Sequence, residues 1–416
     1  MTTYSDPGYV RTAAREQALE PVRVMFMQSQ TYFGADSLIH SLLMRHLDRK
    51  STAVHVACNA GSPAAPSAAY AALSGVPDLS IVPMSFGPTV NSRTRAEVAR
   101  AAATSALPAA LDLTRLVAYV RRNHIEIIHC TEKPRDAFYG YLLARAAGAK
   151  CIIHLHVKVE GWMSPLTRWA MRHCDGLVGV SDFVAGSAVA GGFDAGRVHS
   201  VLNGLDAEEW CASVPATDIR AEFGVPPERP LIAIMSRLFP WKGHSQLLEA
   251  LAEVKRAGRD FTLLIVGDDD PRATPGGGRY STELHRLVAE LDLTDQVVFT
   301  GFRSDASAIM AACDIYAMPT FEEPFGMVFL EAMALAKPVV SLDSGGVPEV
   351  VEDGMTGLLS PPEDIAALAR NVERLIDDEA LRRTLGANGR ARALEHFGPD
   401  RLAADMERVY RRVLAT

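Results

Sequence analysis

The sequence predicts an α/β protein built from two doubly wound domains, each a parallel sheet with helices on both faces. Three observations lead to this fold class. The chain has 416 residues, which is too long for one ordinary hydrophobic core. Short apolar runs alternate with longer amphipathic stretches, and this alternation occurs twice, before and after a proline-rich segment at 214–230. We expect the domains to face each other across a cleft, because open parallel sheets bind ligands beyond the carboxyl ends of their strands.

The first half of the chain contains a series of apolar runs that predict strands, with amphipathic stretches between several of them that predict helices. The predicted strands are 22–27, 53–57, 125–129, 151–155, 176–180 and 198–202. The predicted helices are 37–47, 111–123, 137–147 and 182–191. Residues 59–92 are rich in Ala, Ser, Pro and Gly, so we expect a loop or an irregular segment there.

The second half repeats the alternation. Its predicted strands are 231–235, 261–266, 297–300, 315–318 and 338–342, and its helices begin near Gly243, Tyr280, Asp305 and Phe325. Three consecutive glycines within 272–279 predict a mobile loop. We therefore expect a flexible leader over 1–20, a first domain over 21–214, a second domain over 215–396, and an amphipathic C-terminal helix over 397–416 that packs back on the first domain.

Composition excludes several classes of function. A net charge of −8 argues against a nucleic-acid-binding protein, which usually carries a basic excess. No apolar run approaches the roughly 20 residues needed to cross a bilayer, and residues 1–20 lack the core of a signal peptide, so we expect a cytoplasmic protein. Six cysteines without a C-x-x-C pair predict reduced thiols, and we expect no metal and no other cofactor. Arginines in the first half form either a solvated helix face or a basic patch for peripheral contact with the inner membrane face. They are Arg93, Arg95, Arg100, Arg115, Arg121 and Arg122.

The sharpest local signal is a pair of glutamates, Glu323 and Glu331, that flank seven mostly apolar residues after the predicted strand 315–318. Pro324 suits the start of a helix, where its missing N–H is not needed. Backbone amides of the next residues then lie unpaired at the helix N-terminus and attract an anion such as a diphosphate. These residues are Phe325, Gly326, Met327 and Val328. A carboxylate in apolar surroundings needs a partner, so we expect Glu331 to bind a ribose diol and Glu323 to hold sugar hydroxyls.

Two cations follow the first predicted strand of the second domain. Arg237 comes directly after this strand, and Lys242 lies five residues further on. Arginine offers a planar fork and lysine a point charge, and both suit phosphate oxygens. Together with the paired glutamates, these cations predict a site for a phosphorylated ligand at this edge of the sheet.

The segment Glu323–Glu331 resembles the E-x7-E motif of the retaining glycosyltransferases of family 4. Ser236-Arg237-Leu238 with Lys242-Gly243 resembles that family's Arg/Lys clamp, and Asn203-Gly204 resembles the turn that closes its first domain. The resemblance covers residues 176–415 closely and 21–175 loosely. It implies the two-Rossmann GT-B architecture, in which the first domain binds the acceptor and the second binds a nucleotide-sugar donor.

The resemblance also implies roles for single residues. Gly267 and Arg303 match strand ends that frame the nucleobase of the donor. Gly34 is the one glycine left where the family usually has a glycine pair that approaches the donor. His156 matches a strand-end histidine near the reacting anomeric carbon, and we expect it to be catalytic together with Arg237, Lys242 and Glu323.

These observations predict a retaining, metal-independent transferase that moves a hexose-type sugar from a UDP or GDP donor to a glycan, lipid or small-molecule hydroxyl. An NAD-dependent oxidoreductase is an alternative, but no G-x-G-x-x-G follows the first strand. A nucleotide-sugar epimerase or a sugar-binding protein would use the same clefts. The run 268–270 contains a D-x-D that suits a divalent cation, but it leads into a Pro/Gly-rich segment, so we expect a solvated loop.

Overall fold

The structure, a computed structural model of the protein, describes residues 20–62, 65–84, 111–161, 163–270 and 279–416. It contains two α/β domains, each built on a parallel sheet, and this architecture confirms the predicted fold class. Residues 1–19 of the leader, residues 272–278 of the predicted mobile loop, and three arginines of the basic patch (Arg93, Arg95 and Arg100) lie outside the described residues.

The first domain has a seven-stranded sheet in the order β5-β2-β1-β6-β7-β8-β9, with every neighbouring pair parallel. Its strands are β1 Val22–Gln28, β2 Thr52–Asn59, β5 Ser80–Met84, β6 Ile127–Thr131, β7 Lys150–Leu155, β8 Gly176–Gly179 and β9 Val198–Ser200, and a short hairpin pairs β3 Gly61–Ser62 with β4 Ala65–Pro66. The strand order reverses between β1 and β6. Ligands of doubly wound sheets bind beyond the strand ends at such a switch point.

Helices cover both faces of this sheet. They are α1 Ala35–His46, α2 Ala68–Ser74, α3 (described over 111–122), α4 Pro134–Ala147, α5 Pro165–His173, α6 Asp182–Ala190, and α7 Ala207–Ala212, which leads out of the domain. Ser164 and Ser181 accept backbone N–H groups at the starts of α5 and α6, which fixes where these helices begin. The central strands β1, β6, β7 and β8 are buried on both sides and read as largely continuous apolar runs, as parallel strands do.

The second domain has a six-stranded parallel sheet in the order β12-β11-β10-β13-β14-β15. Its strands are β10 Leu231–Met235, β11 Thr262–Val266, β12 Val297–Gly301, β13 Ile315–Ala317, β14 Val339–Leu342 and β15 Gly357–Ser360. Its helices are α8 Ile219–Glu222, α9 His244–Arg256, α10 Tyr280–Glu290, α11 Ala306–Ala312, α12 Met327–Ala334, α13 Val347–Val350, α14 Ile365–Asp377 and α15 Glu379–His396. Here the order reverses between β10 and β13, so the loops after these two strands meet at the second switch point.

The final helix, α16 Pro399–Leu414, returns to the first domain. It packs against α1 and the first sheet with an apolar stripe that is buried in the first domain's core. The Tyr410 hydroxyl on this helix lies 2.8 Å from Nδ1 of His129 on β6. Among the helices in the described ranges, none has the length and apolar character needed to cross a membrane.

One sequence expectation about the fold is wrong. Residues 59–92 were expected to be irregular, but their described part contains the β3–β4 hairpin, helix α2 and strand β5. Ser67 caps α2, and Ala69 and Leu73 bury its inner face, so a sparse apolar pattern is sufficient for a helix here. Alanine-rich composition obscured this pattern, because short helices at a sheet edge bury few large side chains.

Candidate active site

The loops after β10 and β13 form one wall of a cleft between the two domains. The loop that follows β7 in the first domain supplies the opposite wall. The cavity has a volume of about 540 Å³. It is lined by Val157, Lys158 and Glu160 of the first domain and by Arg237, Phe239, Trp241, Lys242, Asp270, Phe321, Glu322 and Pro324 of the second. Charged side chains from both domains and aromatic side chains from the second domain therefore converge where a doubly wound sheet binds its ligand.

Lys242 and Glu323 form a direct ion pair in this cleft. The Lys242 Nζ atom lies 2.7 Å from Glu323 Oε2, and both side chains are largely buried. The Thr320 hydroxyl donates to the same carboxylate oxygen at 3.1 Å, and the ammonium lies 3.9 Å from the centre of the Trp241 ring. The sequence predicted both charged residues as site residues, and the structure brings them into contact.

Arg237 lies at the same wall of the cleft as Lys242, but its side chain pairs with a different acidic residue. Its guanidinium donates to Asp270 Oδ2 at 2.6 Å while 69% of its side chain stays exposed to the cleft. The expectation of a solvated acidic loop is wrong, because Asp270 is buried and its neighbours are also engaged. Asp269 accepts the N–H and hydroxyl of Ser281. The carboxylates of this run therefore serve as structural anchors, one of which orients Arg237.

Helix α12 begins at Met327, so Pro324 lies ahead of the helix and not at its first position. Gly326 forms the N-cap with φ of +93°, and a Cβ atom there would lie 2.3 Å from the Phe329 ring. No side chain caps the helix. The backbone N–H groups of its first two residues, Met327 and Val328, therefore have no capping side chain to accept them. Phe325 is buried against Phe397 and contributes packing. An anion can approach the amides at this N-terminus.

Glu331 lies one turn further along α12 and faces a second, smaller pocket of about 230 Å³. This pocket is lined from α1 by Leu38, Leu42 and Arg45, from residues 204–213 by Gly204, Leu205, Asp206, Glu209, Trp210 and Ser213, and from α12 by Met327 and Glu331. Burial raises the pKa of Glu331 to about 7. Glu331 of the motif thus lines the smaller pocket, whereas Glu323 is buried beside Lys242, a residue that lines the larger cavity.

Gly34 and His156, the two site residues predicted in the first domain, occupy different surroundings. Gly34 is the N-cap of α1, and no side chain caps that helix either. The pocket that Glu331 lines is also lined by Leu38, Leu42 and Arg45 of α1, whereas Gly34 is not among its lining residues. The His156 ring is not among the residues that line the 540 Å³ cavity. It turns inward and lies 4.5 Å from the His154 ring, centre to centre.

Gly267 and Arg303 lie at the ends of β11 and β12. A Cβ atom on Gly267 would lie 2.0 Å from the Ser236 carbonyl oxygen, so glycine allows β11 to approach the loop that carries Arg237. The Arg303 guanidinium binds Asp305 at 2.8 Å and Glu222 at 2.5 Å. The structure does not bring Arg303 to Arg237 or Lys242, and its donor groups are already occupied.

Contacts between the two domains were missed by the sequence reasoning. The Lys158 ammonium lies 2.6 Å from Glu322 Oε2, directly across the cleft. The Glu349 carboxylate of α13 accepts the backbone N–H groups of Asp182 and Phe183 at the start of α6, at 2.7 and 2.8 Å. Sequence offers no signal for such pairs, because each partner alone resembles an ordinary surface residue.

The groups gathered here have the chemistry that suits a diphosphate and a polyol. Arg237, Lys242 and the uncapped N-terminus of α12 supply positive potential. Glu323 and Glu331 carry carboxylates that can accept hydrogen bonds from hydroxyl groups. No described residue set at these two cavities has the arrangement of a metal centre, since the one group of potential metal ligands found among the described residues lies elsewhere, in the first domain.

Comparisons with known proteins match both halves of the chain. The profile described as "Glycosyl transferases group 1" matches residues 215–392, and the one described as "Glycosyltransferase Family 4" matches residues 41–209. A GDP-mannose-dependent alpha-(1-6)-phosphatidylinositol monomannoside mannosyltransferase of Mycolicibacterium smegmatis is 30% identical over 321 residues, 74% of this chain and 81% of that protein. The 2-deoxystreptamine glucosyltransferase of Streptomyces kanamyceticus is 33% identical over 257 residues, 61% of this chain and 64% of that protein.

Solved structures share the fold. The Anabaena protein Alr3699/HepE, in complex with UDP and glucose, superposes with a TM-score of 0.73 at 23% identity, covering 94% of this chain and all of that chain. A sucrose-phosphate synthase from Thermosynechococcus elongatus superposes with a TM-score of 0.72 at 22% identity, covering 95% of this chain and 99% of that one.

Proposed function

The chain belongs to glycosyltransferase family 4 and has the GT-B fold, and from this premise we propose that it transfers a hexose-type sugar from a UDP or GDP donor to an acceptor hydroxyl with retention of anomeric configuration. The observation that carries the proposal is the Lys242–Glu323 pair at the switch point of the second sheet. A cation for phosphate and a carboxylate for sugar hydroxyls lie in contact there, on the wall of a cleft shared by both domains.

The donor diphosphate binds between Arg237, Lys242 and the N-terminus of α12 in this proposal. The exposed Arg237 guanidinium is free to rotate from Asp270 toward phosphate oxygens, and Asp270 holds it in range until then. The Met327 and Val328 amides add hydrogen bonds that need no counter-ion. Charge on the departing nucleotide grows during transfer, so these groups stabilise the transition state more than the bound donor. The donor diphosphate is then held without a metal.

The sugar and the ribose lie on opposite sides of the diphosphate. In this proposal the Glu323 carboxylate, held beside Lys242, accepts hydroxyl groups of the transferred sugar, while Glu331 faces the smaller pocket and accepts the ribose diol. Gly34, the N-cap of α1, adds in this proposal a second uncapped helix end near the donor. His156 was expected to act at the anomeric carbon, but its ring packs inward against His154, so here it acts behind the loop at 157–160 as a positioning residue. Arg303 supports the base-binding edge from its ion pairs.

Transfer proceeds on the face from which the nucleotide leaves. The acceptor oxygen bonds to the anomeric carbon as the bond from that carbon to the phosphate oxygen breaks, and the departing phosphate takes the acceptor proton. Names of two relatives, the mannosyltransferase above and an N-acetyl-alpha-D-glucosaminyl L-malate synthase of Bacillus anthracis, specify an alpha linkage. Such a linkage is the product of retention from an alpha-linked donor.

The experiment that tests the proposal combines donor binding with product stereochemistry. A panel of UDP and GDP sugars is screened by thermal shift, and a true donor is expected to raise Tm in a concentration-dependent way. The best donor is then incubated with candidate hydroxyl acceptors, and the anomeric configuration of the product is determined by NMR. An inverted product would refute retention, and a protein that neither binds nor hydrolyses any donor would refute the transferase.

A further inference from the structure

Four histidines meet in the core of the first domain, although they come from separate parts of the chain. His40 lies on α1, His129 on β6, His154 on β7, and His156 immediately after β7. The ring of His40 lies 5.4 Å from the rings of both His154 and His156, centre to centre. Strands β6 and β7 are neighbours, and α1 packs over their ends, so the fold brings the four rings together.

The ring nitrogens of this cluster are left without partners. Both nitrogens of His40 and the Nε2 atoms of His154 and His156 are buried, and none has a hydrogen-bond partner within the described ranges. His40 and His154 are completely buried. An imidazole nitrogen buried without a hydrogen bond costs free energy, and native structures rarely leave one without a cause. Four such atoms in one place indicate a missing ligand.

We propose that His40, His154 and His156 bind one divalent transition-metal ion, with zinc as the preferred ion. One nitrogen from each residue lies within 4.8 Å of the other two. Tetrahedral zinc has Zn–N distances of about 2.0–2.1 Å, so its ligand nitrogens lie about 3.4 Å apart. Small ring rotations close the cluster to that spacing. Three imidazoles with no cysteine or carboxylate suit zinc, copper or nickel, and a fourth position remains for water.

His129 supports this assignment from behind. Its Nε2 atom lies 3.3 Å from His154 Nδ1, and its Nδ1 atom lies 2.8 Å from the Tyr410 hydroxyl. When His154 donates its Nδ1–H to His129, the Nε2 lone pair of His154 is free to bind a metal. Histidine ligands usually donate their other ring N–H to such a partner, which fixes the tautomer and the ring orientation. The series of contacts from His154 through His129 to Tyr410 also connects the cluster to α16, the helix that carries Tyr410.

Local charges are compatible with a cation at this position. The nearby Lys133 ammonium is paired with Asp36. The Glu132 side chain accepts the His156 backbone N–H at 3.2 Å and so fixes the backbone at this ligand.

The position of the cluster makes the metal structural. It would fasten α1 to the end of β7, and the residues that follow His156 begin the loop that lines the large cavity. The proposed donor cations Arg237 and Lys242 belong to the other domain, and none of the three histidines lines the cavity that these cations line. The proposal does not rest on the proposed function, because it requires only the histidines.

The test uses full-length protein purified without a histidine tag and stripped with a chelator. Titration with Co²⁺ is expected to give a visible d–d band that saturates at one equivalent and is displaced by Zn²⁺. His40→Gln and His154→Gln should each weaken binding at least tenfold, and His129→Phe should weaken it about 10–100-fold through loss of the supporting hydrogen bond. His173→Gln, at an exposed position on α5 of the same domain, should bind like the wild type.

A saturating band that the His40 and His154 variants retain would overturn the proposal, as would the absence of stoichiometric binding. Circular dichroism checks that each variant folds. Should a variant unfold, X-ray absorption of the cobalt-loaded wild type decides instead: three imidazole ligands are expected, and fewer than three would overturn the assignment. The wild type should also gain thermal stability from Zn²⁺, and a Tm unchanged by saturating Zn²⁺ would contradict the structural role.

Discussion

The Lys242 ammonium lies 2.7 Å from the Glu323 carboxylate in the cleft, so the cation proposed for the diphosphate and the acid proposed for the sugar hold each other in place. Both side chains are largely buried, and removing one partner leaves the other charge uncompensated. Each residue therefore orients the other before the donor arrives. When the donor binds, its phosphate replaces Glu323 as the partner of Lys242. Because Lys242 and Glu323 are already largely removed from water, donor binding requires little further desolvation of these two side chains.

Replacement of Lys242 by alanine tests this pair. We expect turnover with the best donor to fall about 10²–10³-fold, because one preorganised charge at the departing phosphate is lost. Steady-state kinetics measure the change, and Lys255→Ala, at an exposed ion pair with Asp292 outside the cleft, is the control. Glu323 keeps its Thr320 hydrogen bond, so the variant should stay folded. Turnover within threefold of the wild type would remove Lys242 from the site.

The Lys158–Glu322 pair predicts a modest role in domain closure. It joins the domains across the cleft at 2.6 Å, but Lys158 and Glu322 keep 29% and 38% of their side chains exposed. Loss of an exposed pair costs roughly 0.5–1 kcal/mol, so Lys158→Ala should raise the donor KM about two- to fivefold at low salt and less at high salt. Kinetics at both ionic strengths measure this difference.

The charge-reversed double variant Lys158→Glu/Glu322→Lys should recover most of the lost affinity at low salt. Arg383→Ala removes an exposed pair within α15 and should leave the donor KM unchanged. A salt-independent defect in Lys158→Ala would show instead that Lys158 contacts the donor directly.

Gly326 predicts a large difference between two glycine substitutions. At Gly326 an alanine Cβ would meet the buried Phe329 ring at 2.3 Å with φ of +93°, whereas at Gly354 φ is +73° and nothing lies within 4 Å. We expect Gly326→Ala to lower the free energy of unfolding by about 2–4 kcal/mol, and Gly354→Ala by only about 1 kcal/mol from backbone strain alone. Urea denaturation measures both, and equal losses would mean that Phe329 moves aside.

The sequence predicted the alternating strands and both switch-point loops because parallel strands leave continuous apolar runs. It identified Arg237, Lys242 and Glu323 because each follows a strand end or lies in a short motif. Helix α5 was missed, since its polar composition masks a narrow buried stripe. The ion pairs of Arg303 were also missed, because its partner Glu222 lies 81 residues away.

Contacts that depend on the packing of distant elements leave no local pattern. His154 and His156 are two residues apart at the end of β7, so the sequence alone predicts that their side chains point to the same side. His40 joins them only when α1 packs over the sheet. Lys158 and Glu322 meet only when the domains close. Prediction therefore succeeded where one element determines the geometry, and failed where two elements must first be placed.

Glu331 predicts a pH dependence of stability with a definite sign. Burial raises its pKa to about 7, whereas an exposed glutamate has a pKa near 4.5. Between these values the folded protein holds a proton that the unfolded chain has released, so this residue lowers the free energy of unfolding as pH rises from about 4.5 to 7. The Glu331→Gln side chain is neutral at every pH, so the free energy of unfolding of this variant does not fall for this reason as pH rises. It should match the wild type near pH 4.5 and exceed it at pH 8 by on the order of 1–3 kcal/mol.

Urea denaturation of both proteins at the two pH values measures the difference, and other titrating groups cancel because they are common to both. Glu249→Gln, on the exposed face of α9, should show no such pH-dependent gain. Glu331→Gln should also reduce the thermal shift produced by a nucleotide donor, because an amide is a weaker acceptor than a carboxylate for a ribose diol. A variant that binds donor normally, yet shows the gain in stability at pH 8, would separate the buried carboxylate from the proposed ribose contact. Equal stability of variant and wild type at both pH values would instead contradict the raised pKa.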